Sequence, residues 1–324
     1  MSEYLSRIMS GTQLEEVDDR PPSWAVKGLI PEGYGLITGK SKIGKSWFIL
    51  AVLLAVADGR PVLGGIPTGR PRPVLYLALE DSPRRLKSRA KVLLDDGEIP
   101  RYFDSVTQVS PGEVEPLINE WLDRHGERCP LVVIDTLAKA KPPRRQGEQP
   151  YDHDYRVGSE LKALADSHPG TSLLVVHHVK KVEDSDDWMD TTSGTMGLNG
   201  AADFTMNLKR SRNETTGLLR VVGRDVTEQE LSVTYTDGRW ELSGLSMDSA
   251  RANAERVAVA GKRGEVAQQV IEYVCGAGGP VTPAMVAEAV GVDAKRAINE
   301  LGRLVRSDAP VRRSSRGQYV GTNP

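Results

Sequence analysis

The stretch Gly39-Lys40-Ser41-Lys42-Ile43-Gly44-Lys45-Ser46 decides the fold of this chain. It matches the pattern G-x-x-x-x-G-K-S/T, it follows a strand-like run at 34–38, and it opens a helix-like run at 45–57. Glycine at the first and sixth positions lets the backbone curl so that N–H groups point at phosphate oxygens, and the helix adds its positive N-terminal end. The stretch therefore predicts a nucleotide-binding loop, with Lys45 on the β- and γ-phosphates and Ser46 on magnesium.

Length and composition predict two domains and no membrane span. The 324 residues carry 42 basic and 44 acidic side chains, a formal net charge of −2, and 39% are hydrophobic, which is typical of a globular protein. The longest apolar run, at about 48–57, is much shorter than the roughly 20 residues that a span needs. Residues 1–20 lack the pattern of a signal peptide, and Cys129 and Cys275 lack metal-ligand spacing. We therefore expect reduced thiols and a cytoplasmic protein.

The charge is unevenly distributed along the chain. From Arg251 onward there are eleven basic and seven acidic residues, a net charge of +4, which leaves −6 for the preceding part. The change coincides with a small, polar stretch at 246–263 that lacks strong apolar periodicity. We therefore predict an N-terminal tail at 1–23, a large domain at 24–245, a linker at 246–263 and a second domain at 264–324.

In the large domain, short runs rich in Val, Leu and Ile alternate with helix-like segments, which is typical of a parallel sheet with crossover helices. The predicted parallel strands are at 34–38, 74–79, 131–134 and 173–176. The predicted helices are at 45–57, 83–94, 114–125 and 155–167. Further strands are predicted to extend the sheet in antiparallel fashion, at 203–208, 218–223, 231–235 and 239–242. The predicted fold class is therefore α/β, with a mostly parallel sheet.

Two carboxylates follow predicted parallel strands, at the sheet edge where such folds bind ligands. The apolar run 131–134 ends in Asp135, the pattern of a Walker B strand whose carboxylate supports magnesium. Because Thr136 rather than Glu follows, the base for the attacking water must come from elsewhere. The strand 74–79 ends in Glu80, which is the candidate base. The alternative is that Glu80 caps the following helix.

The strand at 173–176 ends in His177-His178. An imidazole beside the γ-phosphate can hydrogen-bond it or its water and so report the nucleotide state. We predict this sensor role for one of the two, with preference for His178. The alternative is a structural histidine.

Together these residues resemble the RecA/DnaB-like phosphate-loop ATPases, in particular the RepA-like hexameric helicases of plasmids, phages and actinobacterial mobile elements. The resemblance covers about 24–245. It rests on segments in a specific order, at 39–46, 79–81 with Arg89, 133–137, 175–178, 193–195, 200–203 and 223–225.

The resemblance implies a RecA-like fold, ATP and Mg²⁺ as ligands, and a homo-oligomeric ring, a hexamer, with ATP sites between subunits. Glu80 matches the family's catalytic glutamate, and Arg89 matches an arginine that approaches the phosphates within one subunit. Trp47 and Asp81 complete the predicted nucleotide-binding set.

An arginine contributed by the neighbouring subunit is also implied. A RepA-type arginine is expected near 201–204, but Asp203 occupies that place. By analogy with DnaB-like enzymes, Arg224 is the first candidate, and Arg210 and Arg212 are alternatives.

Two loops carry basic residues that we predict to contact single-stranded DNA, because the corresponding loops do so in RecA-like rings. Basic side chains neutralise phosphates without reading sequence. The second loop, 180–193, turns acidic after its first two residues, and an ordinary charged surface is the alternative for both loops. The basic residues concerned are Lys139, Lys141, Arg144 and Arg145 in the first loop and Lys180 and Lys181 in the second.

The segment 264–324 predicts a winged helix-turn-helix domain. Helices are predicted at 266–275, 283–290 and from Asp293 to about 306, followed by a two-stranded wing at 310–321. On the third helix we expect Ile298, Leu301 and Val305 to face the core. The predicted DNA-contacting residues are Lys295, Arg296, Asn299, Arg303, Arg312, Arg313 and Arg316. A protein-binding winged helix is the alternative.

The sequence thus predicts an ATP-hydrolysing DNA motor, a RepA/DnaB-like ring helicase or replication ATPase of a mobile element or phage. An ATP-dependent recombination or strand-handling factor shares the same motifs. A third possibility is an ATP-gated DNA-binding regulator that acts through the winged helix.

Overall fold

The computed structural model describes residues 8–17, 20–178, 196–211, 213–263, 265–307 and 309–322. The chain divides into two compact units, Met1–Arg251 and Ala252–Pro324. The helices are α1 Gly11–Glu15, α2 Lys45–Asp58, α3 Pro83–Leu93, α4 Val114–His125, α5 Leu137–Ala140, α6 Pro150–Asp166, α7 Met196–Ala201, α8 Met247–Arg263, α9 Glu265–Gly276, α10 Pro283–Val290 and α11 Ala294–Val305. The strands are β1 Trp24–Val26, β2 Ile30–Pro31, β3 Gly33–Gly39, β4 Val74–Ala78, β5 Phe103–Val106, β6 Leu131–Asp135, β7 Ser172–His178, β8 Phe204–Arg210, β9 Thr216–Gly223, β10 Gln229–Thr236, β11 Arg239–Leu242, β12 Val311–Ser315 and β13 Gln318–Gly321.

A nine-stranded sheet forms the centre of the first unit, in the order β11-β10-β9-β8-β3-β7-β6-β4-β5. The six strands from β8 to β5 are parallel, and β9, β10 and β11 continue the sheet in antiparallel fashion. Every residue of β4 and β6 is buried, as expected for strands covered by helices on both faces. This mostly parallel α/β sheet with an antiparallel extension confirms the predicted fold class.

The prediction for the strand at 203–208 was wrong in one respect, because β8 runs parallel to β3. Antiparallel neighbours can be joined by a tight turn, whereas parallel strands need a crossover connection. The long connection from β7 to β8, which includes α7, allows this direction. The antiparallel extension begins only with β9. The sequence pattern also missed β5, a short edge strand without a buried residue.

Two hydrophobic clusters cover opposite faces of the sheet, because side chains alternate along each strand. On β3, Ile37 joins the cluster that contains α2, and Leu36 joins the one that contains α4 and α6. On β6, Val133 and Val132 divide in the same way. The sheet is thus fixed from both sides, and its carboxyl edge carries the loops that follow β3, β4 and β6.

In the described part of the second unit, the end of α8 is followed by α9, α10, α11 and a hairpin, in the predicted order. Thr282 caps α10 by accepting a hydrogen bond from Met285 N, and Pro283 occupies the first helical position. Asp293 caps α11 through Arg296 N. Strands β12 and β13 pair antiparallel. The elements correspond to those predicted for a winged helix-turn-helix.

The predicted core face of α11 was partly wrong. Leu301 is buried as expected, but Ile298 and Val305 are 52% and 36% exposed. Ala297 and Leu304 are buried instead. The spacing of Ala297, Leu301 and Leu304 fits the helical period as well as the predicted spacing that begins at Ile298. Only the packing of the unit decides which of the two faces is buried.

The stretch 246–263, predicted to be a linker, forms helix α8. Its apolar residues are mainly alanines, which favour helix without giving a strong hydrophobic pattern. Ala250 and Ala254, one helical turn apart, are buried. The division between the two units falls inside this helix, after Arg251.

Candidate active site

The phosphate loop connects β3 to α2 at the carboxyl edge of the sheet. Gly39 has a φ of +153°, and a Cβ at this position would lie 2.4 Å from the Leu208 carbonyl oxygen. Gly44 has a φ of +102° and precedes α2 without a side-chain cap. The close approach to β8 and the left-handed turn explain why glycine stands at both ends of the loop.

Lys45 is a buried cation at the start of α2. Its Nζ donates hydrogen bonds to the carbonyl oxygens of Gly39 at 2.7 Å and Lys40 at 2.8 Å. Burial lowers the pKa of the Lys45 ammonium to about 8, although the carboxylates of Asp135 and Glu80 act in the opposite direction. The lysine thus lies in the field of both predicted acidic residues.

Asp135 ends β6 and is buried. Its Oδ2 accepts a hydrogen bond of 2.8 Å from the hydroxyl of Tyr76, which lies on β4. Burial raises the pKa of Tyr76 well above its ordinary value, and the adjacent Asp135 adds to the rise. Sequence reasoning missed Tyr76, although a tyrosine within an otherwise aliphatic strand needs a partner for its hydroxyl.

Glu80 follows β4 and lies beside the end of β6. Thr136 Oγ1 donates a hydrogen bond of 3.2 Å to Glu80 Oε1. The cap of α3 is Ser82, whose hydroxyl accepts from Arg85 N at 3.3 Å. Glu80 therefore does not fill the capping position that was its alternative role.

A cavity lies between these elements, and Ser46, Tyr76, Glu80, Arg89 and Asp135 are among its lining residues. The hydroxyl and carboxylates are oxygen donors of the kind that magnesium prefers. Within the described ranges, no group of three or more His, Cys, Asp or Glu side chains could hold a metal ion. Ser46 and Asp135 fit a magnesium ion that takes its remaining ligands from phosphate oxygens and water.

Asp81 and two arginines form the wall of this cavity. The Asp81 carboxylate accepts hydrogen bonds from Arg89 at 2.8 Å and from Arg85 at 3.3 Å. The Arg89 guanidinium lies 5.3 Å from the ring centre of Trp47. Asp81 thus orients the arginines, and Trp47 supports Arg89. Arg85 was missed, although it follows Asp81 by one helical turn.

The end of β8 and the hairpin of β10 and β11 contact the phosphate loop. Trp240 Nε1 donates to the Gly44 carbonyl oxygen at 3.1 Å, and Arg210 Nε donates to the Ile43 carbonyl oxygen at 3.3 Å. The Arg210 guanidinium lies 4.4 Å from the ring centre of Tyr235. Arg210, an alternative for an arginine that acts on a neighbour, thus packs on the loop of its own chain. These contacts link distant parts of the sequence, so no local pattern indicated them.

Arg224 and Asp203 lie at the opposite edge of the sheet. The Asp203 carboxylate accepts from Tyr34 N at 2.9 Å and pairs with Lys162 at 3.0 Å and with Arg224 at 3.3 Å. The seven residues of β3 separate the two edges by roughly 20 Å. Arg224 therefore cannot reach the phosphate loop of its own chain, and its side chain is 64% exposed.

The two histidines lie beside the end of β3. His177 and His178 pair in parallel register with the last two residues of that strand, which places their backbone next to the phosphate loop. The side chain of His178 lies outside what the structure describes. Lys180, Lys181 and Arg212 likewise lie outside the described residues.

The first basic loop leads from α5 into α6. Lys139, Arg144 and Arg145 are exposed. Lys141 forms an ion pair with Asp154, so its charge is already matched within the chain. In the second unit the predicted DNA contacts are all exposed, and Arg303 pairs with the neighbouring carboxylate of α11 at 2.7 Å. These exposed residues are Lys295, Arg296, Asn299, Arg303, Arg312, Arg313 and Arg316.

The described helices include none that is long and apolar enough to cross a membrane.

Comparison with known proteins agrees with this architecture. No curated protein matches the chain. A solved ATPase domain matches with a TM-score of 0.55 and 12% identity, over 72% of this chain and 95% of that domain. A DnaB-like replicative helicase, described with its interactions with primase, matches with a TM-score of 0.55 and 12% identity, over 71% of this chain and 65% of the helicase. These likenesses confirm the RecA-like phosphate-loop fold. Residues 5–184, more than half of the sequence, match the AAA domain family (AAA_25), and the chain belongs to that family.

Proposed function

We propose that this chain is an ATP-hydrolysing DNA motor that works as a ring, of the RepA/DnaB-like helicase or replication ATPase type. The observation that carries the proposal is the convergence of Lys45, Glu80 and Asp135 at one edge of the sheet. Lys45 is influenced by both carboxylates, and Glu80 contacts the residue that follows Asp135. A cation for phosphate, a magnesium-supporting carboxylate and a second carboxylate are the groups that ATP hydrolysis requires.

Each residue has a distinct role in this proposal. The loop N–H groups and Lys45 bind the β- and γ-phosphates and stabilise the charge that develops during transfer. Ser46 and Asp135 hold magnesium, which neutralises phosphate charge when bound. Glu80 orients and deprotonates the attacking water. Arg89, paired with Asp81 in the cavity wall, would approach the phosphates within one subunit.

The ring and the DNA substrate are supported by the fold and by surface charge. The fold is shared with a DnaB-like replicative helicase. Arg224 is exposed at the sheet edge away from its own loop, which supports a role toward a neighbouring subunit rather than toward its own site. Lys139, Arg144 and Arg145 are exposed in the segment that follows β6, as a phosphate-neutralising loop requires.

The proposal is tested by the ATPase rate with and without single-stranded DNA, with the oligomer mass measured under the same conditions. We expect hydrolysis that DNA stimulates and a mass of several subunits, and we expect Lys45→Ala to abolish hydrolysis. A Lys45→Ala variant with full activity would contradict the assignment of the phosphate loop. A monomeric protein whose rate of ATP hydrolysis is the same with and without DNA would contradict the proposed role as a DNA motor.

A second candidate function is an ATP-gated DNA-binding regulator, favoured by the exposed basic face of α11 and the hairpin. Arg312, Arg313 and Arg316 lie on or beside a β-hairpin, and exposed arginines there suit the phosphates of duplex DNA. We propose that 264–324 acts as a winged-helix domain in either case. This candidate predicts site-specific duplex binding and slow hydrolysis without stimulation by DNA.

The role of the second unit is tested by truncation after about residue 263. We expect the truncated chain to lose duplex affinity, because it loses seven exposed residues of the proposed DNA surface, and to retain basal hydrolysis. Charge reversal of Arg312 and Arg313 in the full chain is the matched variant. Duplex affinity that survives both changes would contradict a DNA role for this unit.

A further inference from the structure

Two tyrosines on the first turns of α6 expose their rings beside the basic loop. Tyr151 and Tyr155 are 53% and 50% exposed. Their ring centroids are 6.4 Å apart, and the ring planes differ by 13°. The opposite side of the helix is buried through His153 and Val157. The two rings thus form an exposed aromatic surface next to the buried side of the helix.

The backbone beneath these rings is held in place. A Cβ on Gly197 of α7 would lie 2.6 Å from Tyr155 N and 2.7 Å from the Tyr151 carbonyl oxygen, so α7 packs directly on the first turns of α6. The ion pair between Lys141 and Asp154 joins the preceding loop to the same helix. A fixed aromatic surface loses little conformational entropy when a ligand binds.

The preceding loop is anchored by a second ion pair. Glu148 contacts the Arg156 guanidinium with both carboxylate oxygens, at 2.8 Å and 3.2 Å, and accepts from Arg145 N at 2.8 Å. The hydrogen bond from Arg156 lowers the pKa of Glu148 to about 2. The carboxylate thus stays ionised throughout the neutral pH range, where it can pair with Arg156.

Within the described segment 139–156, the charge that ion pairs leave unmatched is positive. Asp154 and Glu148 are matched by ion pairs within the segment. The exposed cations Lys139, Arg144 and Arg145 make no ion pair in the part of the chain that the structure describes, and Asp152 is the exposed acid that opposes them. Aromatic rings bordered by cations fit a ligand with flat faces and negative charge.

We propose that Tyr151 and Tyr155 form a stacking platform for the bases of a single-stranded nucleic acid, with Arg144 and Arg145 on its phosphates. The proposal rests on the proposed function as a DNA motor and adds the residues that contact the bases. Bases stack on exposed aromatic rings with little dependence on sequence, because every base has a π-face. Contacts of this kind suit a motor that moves along DNA of any sequence, because they do not read the bases.

The test compares two strands that bind to the full chain, oligo-dT and a strand of equal length made of abasic residues. Both carry the same phosphates, but only the first carries bases. We expect the wild type to prefer oligo-dT and the Tyr151→Ala/Tyr155→Ala variant to lose that preference. The stacking of one base on an aromatic ring contributes roughly 5- to 150-fold to affinity. Affinity for the abasic strand and basal ATP hydrolysis should stay unchanged.

Salt dependence separates stacking from charge. The Tyr151→Ala/Tyr155→Ala variant should keep the wild-type slope of log affinity against log salt concentration. The Arg144→Ala/Arg145→Ala variant should reduce the magnitude of that slope by up to about 1.4, because each phosphate contact on a single strand contributes about 0.7. The Tyr151→Phe/Tyr155→Phe variant keeps the rings and should bind like the wild type.

Three results would overturn this inference without affecting the proposed function. The first is equal affinity of the wild type for oligo-dT and the abasic strand, and the second is wild-type affinity of the alanine variant for oligo-dT. The third is a loss of oligomer mass in the alanine variant, which would indicate that the tyrosines lie at a protein interface. Failure of the wild type to bind either strand while it hydrolyses ATP would instead contradict the DNA part of the proposed function as well.

Discussion

At the scale of single residues, Lys45 is the group whose protonation links pH to nucleotide binding. Its pKa is lowered to about 8 by burial, so the ammonium loses its proton as the pH rises through that value. Bound phosphates favour the charged form and therefore restore the proton. Binding of ATP should become weaker above pH 8, and it should then take up a proton.

This proton uptake is measurable by titration calorimetry in buffers of different ionisation enthalpy. At about pH 8.5, roughly three quarters of the lysines are neutral before binding if the pKa is near 8, so we expect an uptake of up to about that fraction of a proton per nucleotide. The uptake should be absent at about pH 6.5 to 7 from this group and absent in Lys45→Ala. Uptake that persists at high pH in Lys45→Ala would assign the proton to another group.

Glu80 is predicted to act on water rather than on the nucleotide. Glu80→Gln keeps the shape and the contact with Thr136 but removes the base. We expect nucleotide affinity close to that of the wild type and a turnover reduced by roughly 10²- to 10⁴-fold, the usual contribution of a general base. Stopped turnover together with lost binding would make Glu80 a structural residue.

At the scale of elements, the hairpin of β10 and β11 supports the phosphate loop. Trp240→Phe removes the donor to the Gly44 carbonyl oxygen and keeps most of the ring. One hydrogen bond is worth about 0.5–1.5 kcal/mol, so we expect nucleotide affinity to fall about 2- to 12-fold. Fluorescent nucleotide titration measures the change.

Trp121→Phe is the matched control for this prediction. Trp121 Nε1 donates to Asp104 at 2.9 Å, and Trp121 belongs to the hydrophobic cluster on the opposite face of the sheet. This variant loses an equivalent bond and should bind nucleotide like the wild type. Equal losses in both variants would indicate a general loss of stability instead of a local effect on the loop.

At the scale of the whole molecule, Arg224 tests whether ATP sites are shared between subunits. Rings that contain only the Arg224→Ala variant, or only the Lys45→Ala variant, should not hydrolyse ATP. Mixed rings of the two variants should regain part of the activity, because some sites then combine an intact Lys45 with an Arg224 from the neighbour. ATPase measurements on mixtures provide the test.

Asp203→Asn is the control for the ion pair of Arg224. It weakens the pair at 3.3 Å but leaves the guanidinium in place, so it should retain most of the activity. Mixtures without recovered activity, or equal inactivation by Asp203→Asn, would give Arg224 a structural role at its sheet edge.

The sequence determined the features that depend on local spacing. The glycines of the phosphate loop, the carboxylates Glu80 and Asp135 near the ends of β4 and β6, and the caps at Thr282 and Asp293 all follow from short sequence patterns. Alternating apolar runs and helices were sufficient for the α/β class, because a buried parallel strand has a recognisable composition.

Tertiary structure alone decided the features that join distant segments. The bond from Tyr76 to Asp135, the support of Gly44 by Trp240 and the ion pair of Arg224 with Asp203 link distant residues, and no pattern along the chain records strand order. The direction of β8 and the buried face of α11 were likewise open, since more than one arrangement satisfies the same periodicity. Local sequence fixes which groups are present at an edge or on a face, and only packing fixes which of them meet.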